Sequence, residues 1–153
     1  MKNKILYLAA AAGAAYYFLI GKKKALENLD IKPIDVAINT AKSRKFFFTQ
    51  LFYNIKLKIT NSENLAAKIQ NIDIDVYINN KKASEINSNT PVIIPARTEG
   101  KIVTIEGVVM AGNLISLILE FLADQQPINI KAIGTVTTDL GTIEINYSKN
   151  VNV

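Results

Sequence analysis

The chain has 153 residues, 49% of them hydrophobic, with 18 basic and 13 acidic side chains and a formal net charge of +5. That length holds one domain of ordinary size beyond any targeting segment. Cysteine and histidine are both absent, which excludes a disulfide framework, thiol chemistry and lipid-modified cysteine, and removes the commonest general base and metal ligand.

The charge is unevenly spread. Up to Lys58 there are eleven basic and three acidic residues, and beyond it seven and ten. The basic half coincides with the first apolar segment, "ILYLAAAAGAAYYFLIGKKK" at 5–24, a placement that suits a membrane surface better than a nucleic-acid groove. Its seventeen uncharged residues, as a helix, span ~25 Å, slightly less than a hydrocarbon core of ~30 Å. Lys2, Lys4 and Lys22 to Lys24 extend that reach by snorkelling, and Tyr7, Tyr16 and Tyr17 fall near the two interfaces. Ile5, Leu6, Leu8, Phe18, Leu19 and Ile20 supply the strong hydrophobicity, ~2–4 kcal/mol together on an insertion scale. A cleaved signal peptide is the competing reading, with Gly13 and Ala15 as small residues at the cut. Cleavage there leaves the apolar "YYFLIGKKK" as the mature start, so the segment is read as a retained transmembrane anchor over 1–24. Ala9 and Gly13 form a small-xxx-small pair that admits a second helix.

Next, "KALENLDIKP" reads as a polar linker, 25–33, with helix ended by Pro33. Period-two alternation then begins, and 34–153 reads as one domain. "PIDVAIN" predicts a strand with Ile34, Val36 and Ile38 on one face. "LFYNIKLKITN" predicts another, with Leu51, Tyr53, Ile55, Leu57 and Ile59 together. "IQNIDIDVYINNKK" puts Ile72, Ile74, Val76 and Ile78 inside and turns at Asn79-Asn80, residues that accept left-handed backbone. "SEI" is a short return strand. "NSNTPVIIPA", with two prolines, reads as an edge or crossing loop, and "GKIVTIEGVV" as a further strand. In "MAGNLISLILEFLAD" the period changes: Asn113, Ser116, Glu120 and Asp124 share one stripe, predicting an amphipathic helix on the sheet. "PINIKAIGTVTTDLGTIEINY" closes the chain as a hairpin turning at Asp139, Leu140 and Gly141. About seven antiparallel strands and one late helix describe a mainly β protein, a sandwich or partly open barrel.

The order "KLKITN", "IQNIDIDVYINNKK", "TPVIIPARTEGKIVTIEGVV", "NLISLILEFLAD", "INIKAIGTVTTDLGTIEINY" resembles the late embryogenesis abundant type 2 family, also described as the water-stress and hypersensitive-response domain. The resemblance covers roughly Ile31 to Tyr147. It implies an antiparallel, fibronectin-like β-sandwich with one late helix, links to stress protection and membrane association, and no catalytic residues to carry over. Where the family has an Asn-Pro-Asn-like motif after the first long strand, this chain has Asn61, Ser62, Glu63 and Asn64, keeping the asparagines without the proline.

Few constellations carry chemistry. Asp73 and Asp75 lie ~6.6 Å apart on one strand face, a spacing open to acid–base hydrolysis, but a charged strand face that discourages edge pairing is the simpler account. No loop gathers enough oxygens for Ca²⁺, Gly100, Gly107 and Gly112 are too scattered for a phosphate loop, and Ser84 and Ser116 lack an elbow motif. "KSRKFFFTQLF", 42–52, sets basic residues before three phenylalanines. It reads as a core-finishing loop, as a membrane-surface contact through Lys42, Arg44 and Lys45, or, least, as a nucleic-acid contact. With Lys22, Lys23 and Lys24 those three residues are expected to form one basic collar at the bilayer edge. No enzyme activity and no cofactor are expected. The sequence reads as a single-pass structural or interaction protein, protecting or organising a bacterial inner membrane, with a lipid bilayer and another protein layer or oligomer partner as its contacts. The coding bias, rich in Ile, Asn and Lys, also suits a structural protein of a membrane-containing virus particle. A third class, a periplasmic lipid- or ligand-binding module, requires unfilled apolar space between the sheets.

Overall fold

The computed structural model describes residues 2–45, 50–110, 112 and 128–151, with side chains from Ala15 onward save those of 38, 40, 110, 128 and 151. Helix α1 runs Lys2–Glu27. Strand β1 follows at Leu29–Ile38, helix α2 at Thr40–Lys45, then β2 Gln50–Asn61, β3 Ala67–Ile78, β4 Lys81–Ser88, β5 Val92–Ile94, β6 Thr98–Met110, β7 Ile128–Thr138 and β8 Thr142–Val151. Sheet A has the order β1-β2-β6. Sheet B has the order β4-β3-β7-β8, with β5 on the start of β3, and every pairing is antiparallel. The late helix expected over 110–124 lies almost wholly outside the described residues.

Alternation builds the core, because successive strand side chains face opposite ways. Tyr53, Ile55, Leu57 and Ile59 of β2 are buried against Ile72, Ile74, Val76 and Ile78 of β3, as their spacing predicts, while Lys56 and Lys58 face outward. The turn at Asn79-Asn80 has φ of 48° and 65°, and Ile78 pairs directly with Lys81. This is the two-residue hairpin that asparagines favour.

Two register shifts change which residues are inside. Between Pro33 and Asp35 the β1–β2 ladder slips. Pro33 has no N–H to give the ladder and so sits where pairing is irregular. Leu29, Ile31 and Val36 are therefore buried and Ile34 is exposed, correcting the single face expected for Ile34, Val36 and Ile38. In the connection expected at 25–33 the helix continues to Glu27, and β1 begins at Leu29, before Pro33. A second shift in β3, between Ile69 and Asn71, puts Ala67 and Ile69 into the same core as Ile72. "SEI" is part of an eight-residue strand and "VII" is a short strand on β3, both longer or more regular than their sequences suggest.

Register also defines two ends. Leu29 pairs with Asn61, Asn61 with Thr98, Ile69 with Thr138. The loops 62–66, 95–97 and 139–141 thus gather at the end where α1 joins, here called the stem end. Ile38, Gln50, Met110 and the Asn79-Asn80 turn lie at the distal end. Among the described residues no helix is long and apolar enough to cross a membrane; the side chains of Ile5, Leu6 and Leu8 lie outside them.

Candidate membrane-facing end

At the stem end the last turn of α1 is bound to the sandwich. Ala25 is buried. Leu26 lies over Gly141, where a Cβ would stand 2.6 Å from Leu26 Cδ2, so glycine is what lets the helix approach the β7–β8 turn. The Lys22 ammonium donates to the Asp139 carbonyl at 3.3 Å. Asn28 amide nitrogen Nδ2 donates to Glu63 Oε1 at 2.6 Å, and the Ser62 N–H donates to the Asn28 carbonyl at 3.2 Å.

Upstream of that clasp the helix is uncovered. Tyr16, Tyr17, Phe18, Leu19 and Ile20 are 65, 78, 62, 64 and 45% exposed. Five consecutive residues at ~100° each reach every face of a helix, so no side of this stretch is packed on the sandwich. The Lys22 ammonium stands 4.8 Å from the Phe18 ring centroid, its charge held at the border between apolar helix and domain.

The loop after β2 is ordered by Asn61, which is fully buried. Its Nδ2 donates to the carbonyls of Leu65 at 2.8 Å and Pro95 at 3.1 Å, and its Oδ1 accepts the Glu63 N–H at 3.2 Å. Arg97, at φ 52°, donates its N–H to the Glu63 carbonyl and its Nε to Asn64 Oδ1. The asparagines singled out in the sequence thus hold this loop by side-chain hydrogen bonds. Their partners, Pro95 and Arg97, have no signal in the sequence because they lie more than thirty residues away.

The basic residues do not form one collar. Lys22, Lys23 and Lys24 are at the stem end. Lys42, Arg44 and Lys45 are on α2, beyond the ten residues of β1, roughly 30 Å away at ~3.3 Å per residue. A strand that runs straight along the sheet carries them to the distal end and cannot return them. Much of this stretch is structural. Asn39 Oδ1 accepts the Lys42 N–H as the α2 cap, and Ser43, fully buried, accepts the Phe52 N–H and donates to the Asn39 carbonyl. Lys42 is ion-paired with Glu106 and sits over the Phe52 ring, 4.4 Å from its centroid. Arg44 and Lys45 are exposed, and Phe46, Phe47 and Phe48 lie outside the described residues.

Asp73 and Asp75 are part of a charged face. Asp75 is 2.7 Å from the Lys82 ammonium, which Glu85 also meets at 3.1 Å; hydrogen bonds to these two carboxylates push the lysine above its ordinary range. Among the described residues no three acidic side chains gather to hold a metal ion.

The two long edges of the sandwich differ. On one, Lys149 of β8 reaches across to Asp35 of β1 at 2.9 Å. On the other, the Tyr53 hydroxyl donates to Ser84 Oγ at 2.9 Å, and Ser84 donates to the Val108 carbonyl at 2.8 Å. The Tyr53 ring needs the space at its cross-strand partner Gly107, where a Cβ would come within 2.2 Å of the ring. Burial raises the Tyr53 pKa, so the hydroxyl stays protonated and keeps donating. Beside this strut the sheets part into a cleft of about 540 Å³, with Ile72, Ile86, Val92, Val103 and Ile105 among its walls and Glu85, Thr104 and Glu106 among its polar lining.

An antiparallel two-sheet sandwich carried on an N-terminal helix is the class of protein these features define. The profile of the late embryogenesis abundant proteins matches residues 56–151, and the chain belongs to that family, type 2. Comparison with curated protein sequences returns no match. Among solved structures, a protein from Archaeoglobus fulgidus superposes with a TM-score of 0.59 at 10% identity, over 79% of this chain and 94% of that one. An Arabidopsis thaliana protein solved in solution superposes with a TM-score of 0.58 at 16% identity, over 80% of each chain. At such identities the likeness concerns the fold alone.

Proposed function

We propose that this is a membrane-anchored member of the late embryogenesis abundant type 2 family that acts without catalysis. Its sandwich is held at a bilayer surface, where it protects or organises an envelope or joins it to another protein layer. The observation that carries this reading is the uncovered stretch Tyr16–Ile20 on a helix whose last turn is clasped to the domain. Exposed apolar side chains on every face of a helix are costly in water and favourable in hydrocarbon. The helix has 26 residues, ~39 Å at ~1.5 Å each, and seventeen of them, from Ile5 to Gly21, are uncharged. Lysines flank both ends, as a span anchored at headgroups requires. The test is an alkaline carbonate wash of membranes carrying the full chain, with sequencing of its amino terminus. Retention with Met1 or Lys2 at the start is expected. Release by the wash, or a mature start at Tyr16, refutes the anchor.

A second reading, the binding of an apolar ligand between the sheets, is favoured by the cleft beside Tyr53. Its volume is within the range of small-molecule sites, and aliphatic walls beside a polar lining suit an amphiphile. Displacement of a fluorescent fatty acid by unlabelled fatty acid, lost on Val103→Trp, is the expected sign. No saturable binding refutes it.

A further inference from the structure

We propose that the domain touches the bilayer a second time, through the exposed pair Leu65 and Ile93 at its stem end, with Lys68 and Lys101 meeting anionic headgroups beside them. The proposal rests on the anchor reading, but on different residues. Leu65 and Ile93 are 66% and 63% exposed, among the most uncovered large aliphatic residues of the sandwich. Register brings them to one corner: Lys68 pairs with Ile93, and Leu65 lies in the loop just before that strand.

The corner is continuous with the root of the helix. Lys22 donates to the Asp139 carbonyl, Asp139 Oδ1 accepts the Lys68 N–H at 2.8 Å, and the Asp139 N–H returns to the Lys68 carbonyl at 3.0 Å. Lys68 in turn neighbours Ile93, whose carbonyl accepts the Lys101 ammonium at 3.0 Å. Lys22, Lys68 and Lys101 and the aliphatic Leu65 and Ile93, with the Asp139 carboxylate between Lys22 and Lys68, thus follow one another from the place where the apolar helix leaves the domain. This is the pattern of an interfacial contact, aliphatic groups below the headgroups and ammonium groups among them. The loop bearing Leu65 is held by Asn61 and Arg97, so the tip is presented in one shape and little ordering is needed on contact.

The two contacts have different consequences. The helix alone ties the sandwich to the bilayer at one place, its clasped last turn. A second contact at the corner fixes its tilt and directs the cleft edge, on the β4–β6 side, along the surface.

The absence of cysteine makes the test direct. Full-length chains carrying Leu65→Cys, Ile93→Cys, Leu19→Cys or, at the distal end, Ala41→Cys are labelled with an environment-sensitive fluorophore and reconstituted in vesicles of phosphatidylcholine and phosphatidylserine. Lipids bear a nitroxide either at the headgroup or deep in the chain. Headgroup nitroxides are expected to quench labels at 65 and 93 at least about twofold more than the label at 41. Lys68→Glu, or omission of phosphatidylserine, should reduce quenching at 93. The label at 19 reports the anchor separately, through the deep nitroxide. Quenching at 19 with none above the level of 41 at either 65 or 93 overturns the second contact and leaves the anchor. Quenching at 65 and 93 without quenching at 19 supports the second contact and overturns the anchor. No quenching at any of the three overturns both.

Discussion

Asn61→Ala removes two donors and one acceptor from a fully buried side chain. Each net hydrogen bond contributes ~0.5–1.5 kcal/mol, and a buried group left without a partner costs ~1–3 kcal/mol. The Leu65 and Pro95 carbonyls lie in surface loops and regain water in part, so the sum is about 3 kcal/mol rather than the full desolvation of three groups. For a domain of this size that corresponds to a fall in Tm of roughly 10 °C. Asn61→Asp keeps the acceptor for the Glu63 N–H but turns a carboxylate toward two carbonyl oxygens, and is expected to be at least as damaging. Ser62→Ala, at an exposed neighbour, should stay within about 0.5 kcal/mol of the parent. Thermal unfolding of the full chain in mild detergent, followed by far-ultraviolet circular dichroism, measures all three. If Asn61→Ala melts within about 2 °C of the parent, Asn61 is not the clamp that holds this loop.

Two further outcomes follow from the charged groups. The Lys149 ammonium, hydrogen-bonded to Asp35, holds that carboxyl below its ordinary value of 3.8, with Lys56 adding to the effect; a depressed carboxylate adds stability that is present above its unfolded pKa and is lost as pH falls through the folded one. Stability should therefore drop only slightly below about pH 4, since both side chains are partly exposed and screened by solvent. Asp35→Asn should flatten that part of the pH profile, and an unchanged profile counts against the Lys149–Asp35 pair. Replacing Lys42, Arg44 and Lys45 together with Ser should leave vesicle association of the full chain unaltered, because α2 is at the distal end, while loss of the Lys42–Glu106 pair and of the contact with Phe52 lowers stability by ~1 kcal/mol. A large loss of association in a flotation assay would return this cluster to the membrane side.

Much of the architecture was legible because strands advertise themselves locally. In β2 and β3 every second residue is aliphatic over several positions, and water alone decides which face turns inward. Asn79-Asn80 states its own turn, since few other pairs accept two positive φ values. The family likeness rested on the order of such elements, and order survives where identity does not. The apolar run at 5–21 was equally plain, because a window of uncharged residues needs no partner to be recognised.

Tertiary structure decided what depends on who stands opposite. Ile34 alternates correctly with Val36, yet the slip at Pro33 turns it outward, and a slip is a property of two strands, not one. Asn61 reads as a loop polar residue until Leu65, Pro95 and Glu63 converge on it, and then it is a buried clamp. Lys42, Arg44 and Lys45 lie only some twenty residues from Lys24 in the chain, but a β-strand converts that short separation into nearly the full length of the sheet. Conversely Lys22, Asp139, Lys68 and Ile93, scattered across more than a hundred residues, become one corner, because antiparallel pairing brings distant turns to the same end. Sequence by itself determined the periodicity, the turns and the apolar segment, whose causes are local. Which charges share a surface is set by strand register and length, so only the folded sandwich could decide it.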